Sequence, residues 1–100
     1  MIVYVVDLEI DAAIAPEYLA WLRDHVREML ALPGFEGAQI LERLEPEPAP
    51  AHVHYSVHYR LRDRAAFDAY LQEHAPRMRA AGAGFGARVR ATRGLLKSLE

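Results

Sequence analysis

The stretch "AHVHYSVHYR", residues 51–60, brings His52, His54 and His58 into one segment. Histidine is the side chain best suited to bind a metal or move a proton near neutral pH. In an extended strand alternate side chains share a face, so His52, His54, Ser56, His58 and Arg60 point one way. Val53, Tyr55, Val57, Tyr59 and Leu61 point the other way and supply the apolar face. At ~3.3 Å per residue His52 and His58 stand roughly 20 Å apart, too far for one ion with ligand bonds of about 2 Å. His52 and His54, about 6.6 Å apart, could chelate together only with a third ligand from elsewhere. The segment reads as a strand whose polar face meets solvent or a partner, and no metal site is expected.

Two further histidines fall on helical stripes. His25 sits one turn from Trp21 and from Met29, and His74 follows Phe67, Tyr70 and Leu71 at helical spacing. A histidine on an apolar face is more often a satisfied core residue than a catalyst, yet it can serve as a base near pH 7. We therefore take Trp21, His25, Tyr70 and His74 as candidate ligand-binding residues, with His25 and His74 as the catalytic candidates. A cleft of several hundred Å³ between sheet and helices is expected if they act together.

The elements that must position these groups follow from hydrophobic period. Ile2 to Ile10 is β-branched and aromatic, as a buried strand would be. From "DAAIAPEYLAWLRDHVREMLAL" onward the period becomes helical, with Pro16 and Glu17 suited to a first turn. Tyr18, Leu19, Leu22, Val26, Met29 and Leu30 form its stripe. "LPGFEG" ends that helix; Gly37 to Glu45 is a second strand and His52 to Leu61 a third. Asp63 is the N-cap of a second helix, which Pro76 should kink near its last turns. Gly82 to Gly86 releases the chain into a last strand, Ala87 to Leu96. The order β-α-β-β-α-β predicts one ferredoxin-like α+β domain over residues 1–100, a four-stranded antiparallel sheet with two helices on one face.

The runs "YLAWLRDHVREMLALPGFEGAQILERLE", "VHYSVHYRLRDRAAFDAYLQEHAPRMR" and "GFGARVRATRGLL" together resemble the DUF4286 family, small bacterial proteins of unknown function. The resemblance covers nearly the whole chain. It implies a plan like that of dimeric α+β barrels, in which two open sheet faces pack together, and it carries over no catalytic residues.

On that plan strand one is central, and strand parity places Asp7, His54, His58, Arg88 and Arg90 on the uncovered face. There they read as interface residues, either a salt-bridged contact or the wall of a polar cavity shared with a second subunit. Asp7 is expected to lie beside Arg90 and a strand-three histidine.

Composition narrows the class. One hundred residues with a formal charge of −2 make one domain without the basic footprint of a nucleic-acid binder. The absence of cysteine removes disulfides and thiol catalysis. Asp7 and Glu9 interrupt the apolar N-terminus, so no membrane association and a cytoplasmic location are expected. "GAGFG" follows a helix and precedes a strand, the reverse of a dinucleotide-binding turn, and no Walker, HExxH or GxSxG motif occurs. No cofactor is expected. These readings favour a homodimer that acts as a small-molecule binding or interaction module. The alternative is a cofactor-free enzyme, monooxygenase-like or isomerase-like, acting on a small and partly apolar substrate.

Overall fold

The computed structural model describes residues 1–100. The chain runs β1 (Ile2–Asp11), α1 (Ala15–Leu30), β2 (Phe35–Glu42), β3 (His52–Leu61), α2 (Arg64–Glu73), α3 (Ala75–Ala80) and β4 (Val89–Lys97). The four strands form one antiparallel sheet in the order β2-β3-β1-β4, with the helices on one face. This is the ferredoxin-like architecture read from the sequence, with β1 central. No helix is long and apolar enough to cross a membrane.

Local chemistry sets the element ends. The Asp11 carboxylate accepts from the Ala13 N–H at 3.0 Å and turns the chain through a short 3-10 turn, Ala12–Ile14, into α1. Asp63 caps α2 by accepting from the Ala66 N–H at 2.8 Å, the role expected of it. Gly34, at φ +83°, returns the chain from α1 to β2, and a Cβ there would collide with the Ala66 side chain. Pro16 and Pro76 stand in the first turns of α1 and α3.

Parity along β3 is as expected: Tyr55, Val57, Tyr59 and Leu61 are buried towards the helices. They join Tyr4, Leu8 and Ile10 of β1, Tyr18, Leu22, Val26 and Met29 of α1, and Phe67 and Tyr70 of α2 in one core. Burying such side chains contributes roughly 1.5–3 kcal/mol each relative to exposure, which is what holds α1 and α2 to the sheet.

Several boundaries differ from expectation. β2 starts at Phe35 and stops at Glu42, because a bulge between Phe35 and Gly37 lets the strand begin before the glycine. Leu30 and Leu71 are exposed rather than part of their stripes. The break at Pro76 falls earlier than a late kink: α2 stops at Glu73, and His74 takes the non-helical φ −127° and ψ −30° between the two helices. Arg88 belongs to a 3-10 turn, Ala83–Arg88, so it precedes the sheet instead of lying on its open face.

A candidate aromatic cavity beneath helix α1

Between α1 and the helix-facing side of the sheet lies a cavity of about 280 Å³. α1 contributes Tyr18, Trp21 and His25 to its wall. The four-residue spacing from Trp21 to His25 brings their rings into a stack, with centroids 4.7 Å apart and planes 15° apart. Tyr18 packs on Trp21 at 5.4 Å and edge-on against Phe85 at 4.8 Å. The 3-10 turn after α3 closes this side. Gly82 lets it approach Trp21, whose Cη2 would stand 3.3 Å from an added Cβ, and Gly86, at φ +60°, bends it towards β4.

The opposite wall is phenolic and basic. Tyr4, Tyr59 and Tyr70 reach the cavity from β1, β3 and α2, and Arg79 and Arg93 from α3 and β4. Arg79 is exposed as a residue, yet its Nη2 donates to the hydroxyl of buried Tyr4 at 3.3 Å. Burial pushes the Tyr18 and Tyr70 phenols up to about 12, although Arg93 draws both down. Burial raises Tyr59 as well. All three stay protonated at neutral pH and can donate hydrogen bonds.

His25 Nδ1 is buried and has no hydrogen-bond partner. Desolvation lowers its pKa, against a smaller upward pull from Glu28, so the ring is neutral at pH 7 and free to accept a proton.

Of the residues expected at this seam, Trp21, His25 and Tyr70 come together and His74 does not. His74 is turned away by the chain break before Pro76. Its Nδ1 accepts from Arg77 Nη2 at 3.0 Å, and its Nε2 lies 3.9 Å from Glu73 on the surface. The sequence reading missed Tyr4, Tyr18, Tyr59, Arg79 and Arg93. Arg93 carried a signal: parity that puts Arg90 on the open face puts Arg93 on the helix-facing side, where it stands exposed at the cavity rim.

The open face of the sheet carries a separate polar network. His54, only 9% exposed, donates from Nε2 to Asp7 Oδ1 at 3.1 Å. Beside them, His58 Nε2 shares a 3.1 Å hydrogen bond with Ser56 Oγ. Burial pushes the Asp7 carboxyl up, but the bond from His54, the Ser56 hydroxyl and the nearby His54 and His58 charges outweigh it, leaving the pKa below the ordinary value. Asp7 stands opposite Thr92 and Arg90 opposite Glu9, so Asp7 and Arg90 are diagonal neighbours on the open face that form no salt bridge. His52 bonds through Nδ1 with the Pro50 carbonyl at 2.8 Å, and no three histidine or acidic side chains converge as a metal site.

With both faces described, comparison with other proteins fixes the family. The sequence profile of the domain of unknown function DUF4286 matches residues 1–99. The chain belongs to the DUF4286 family. No curated protein matches it in sequence. In structure this DUF4286 protein is similar to the heme-degrader MhuD of Mycobacterium tuberculosis, solved with two hemes in its active site. The TM-score is 0.75 at 22% identity, covering 100% of this chain and 97% of MhuD. It is similar to a putative antibiotic biosynthesis monooxygenase of Deinococcus radiodurans, with a TM-score of 0.74, 15% identity and coverage of 100% and 94%. It is also similar to SnoaB, a cofactor-independent oxygenase of Streptomyces nogalater, with a TM-score of 0.68, 17% identity and coverage of 99% and 94%. At these identities the likeness establishes the shared fold alone.

Proposed function

We propose that this DUF4286 protein binds a small, partly aromatic molecule in the cavity beneath α1 and acts on it as a cofactor-independent oxygenase. The observation that carries the reading is His25: an imidazole kept neutral by desolvation in the wall of an aromatic cavity. SnoaB, a cofactor-independent oxygenase of the same fold, supports the reaction class by analogy.

The chemistry asks little of the protein beyond a base and a dry pocket. His25 takes the proton from an acidic C–H of the substrate, and the electron pair left behind delocalises into the substrate ring. The carbanion adds to dioxygen, and the imidazolium returns the proton to give a hydroperoxide, so the base is regenerated. The phenols of Tyr18, Tyr59 and Tyr70 are donors placed to stabilise the charge that develops.

The cavity of about 280 Å³ is small for the heme of MhuD.

An oxygen electrode tests the proposal. Anthrone, an aromatic carbon acid, should be oxidised by the protein without added flavin, metal or heme, and His25→Phe should slow the reaction by roughly 10²-fold or more. Failure of the wild-type protein to accelerate oxygen uptake with anthrone or related carbon acids would leave the second reading, a binding module.

The open sheet face supports the homodimer as part of either reading. Leu41 and Leu96 are 40% and 56% exposed on it, beside the half-buried Val3 and Val5 and the Asp7–His54 pair. A second copy would cover this mixed surface, as in the α+β barrel plan.

A further inference from the structure

We infer that the ligand of the α1 cavity is an aromatic anion, a ring system bearing a carboxylate or phenolate, recognised by Arg79 and Arg93. This rests on the cavity being the ligand site, as proposed above, and it adds the substrate's charge.

The protein as a whole carries a formal charge of −2, yet the cavity reverses that sign. Arg79 and Arg93 are the charged residues in its lining, and no aspartate or glutamate is among them. Neither guanidinium forms a salt bridge anywhere in the molecule. Arg93 lies on the helix-facing side of the edge strand β4, opposite Val6, and is exposed, so its guanidinium stands at the rim of the cavity.

The two cations act on the same part of the wall. The Tyr4 hydroxyl bonds Arg79, and the Arg93 charge is felt at both Tyr18 and Tyr70. A guanidinium offers a planar fork of donors that matches a carboxylate, and neutral phenols beside it supply further hydrogen bonds without repelling the anion. Both arginines are exposed, so this attraction is that of a cavity rim and is screened by salt. Trp21, packed on Tyr18 and lining the same cavity, gives the ring an aromatic surface. Charge at the rim together with aromatic faces selects an amphiphilic aromatic acid over a neutral hydrocarbon. Such an anion next to His25 would also raise the basicity of the imidazole, which suits a proton acceptor.

Calorimetric titration with naphthoate and its neutral amide, naphthamide, separates charge from ring. Naphthoate should bind at least about tenfold more tightly, and its advantage should shrink as salt is added. Arg93→Gln and Arg79→Gln should each remove most of that preference, weakening naphthoate far more than naphthamide. Arg93→Gln keeps the test clear of the Tyr4–Arg79 bond. Arg77→Gln, on the same helix but bonded to His74, should change neither affinity. Ala91→Leu, which narrows the cavity without touching charge, should weaken both ligands alike. Equal affinities for the two probes would overturn the anion inference while leaving the cavity an aromatic site. A naphthoate preference that survives both arginine substitutions, or binding indifferent to Ala91→Leu, would overturn it as well.

Discussion

His25 ties the proposed chemistry to a measurable cost in stability. Its folded pKa lies below the ordinary value of 6.5, so between those two values the unfolded chain binds more protons than the folded one. Stability is therefore complete above pH ~6.5 and declines as pH falls through that value towards the lowered folded pKa. Melting temperature followed from pH 7.5 to pH 5 should drop less in His25→Phe than in the wild-type protein; parallel curves would show His25 to be solvated and unsuited to the role. The residue scale also shows what was legible beforehand. Trp21, His25 and Tyr70 were readable because helical spacing alone puts them on one stripe. His74 obeyed the same spacing and lies elsewhere, because one proline ended the helix before the stripe reached it. Arg93 needed only the parity rule applied to its own strand.

At the scale of elements, caps and turns make separable contributions. Asp63→Ala removes the carboxylate that accepts from the Ala66 N–H and should lower the midpoint of urea unfolding. Gly34→Ala meets both the positive φ and the Ala66 side chain, and should cost about 2–4 kcal/mol. Gly84→Ala, where an added Cβ meets nothing within 4 Å, should be nearly silent in the same experiment. Equal effects at the two glycines would mean that the α1–β2 turn is not as tight as described. The third strand was readable to its ends because ten residues alternate without interruption, His52 to Leu61. The second was not, since its bulge breaks alternation at the point where the sequence offers a glycine as a natural start. The cavity itself had no sequence signature: its volume comes from the spacing between α1, the Ala83–Arg88 turn and the sheet.

The whole molecule presents two distinct faces on opposite sides of one sheet. The helix side holds the cavity, and the open side holds the Asp7–His54–Ser56–His58 network. If a second copy covers that network, Asp7→Ala leaves the buried His54 without its acceptor, a loss of about 1–3 kcal/mol. Glu47→Ala, in the exposed β2–β3 connection, should cost close to nothing. Dilution-dependent melting should therefore separate the two variants, and light scattering should give twice the 11.3 kDa chain mass for the wild-type protein. A concentration-independent melt at the single-chain mass would remove the dimer and leave the cavity account intact. The most direct test of that account is amide and side-chain chemical-shift mapping during titration with naphthoate. The Trp21 indole, the single tryptophan in the chain, should shift together with His25 and Arg93, while His54 and His58 across the sheet stay still. Shifts confined to His54, His58 and their neighbours, with Trp21 unmoved, would contradict it.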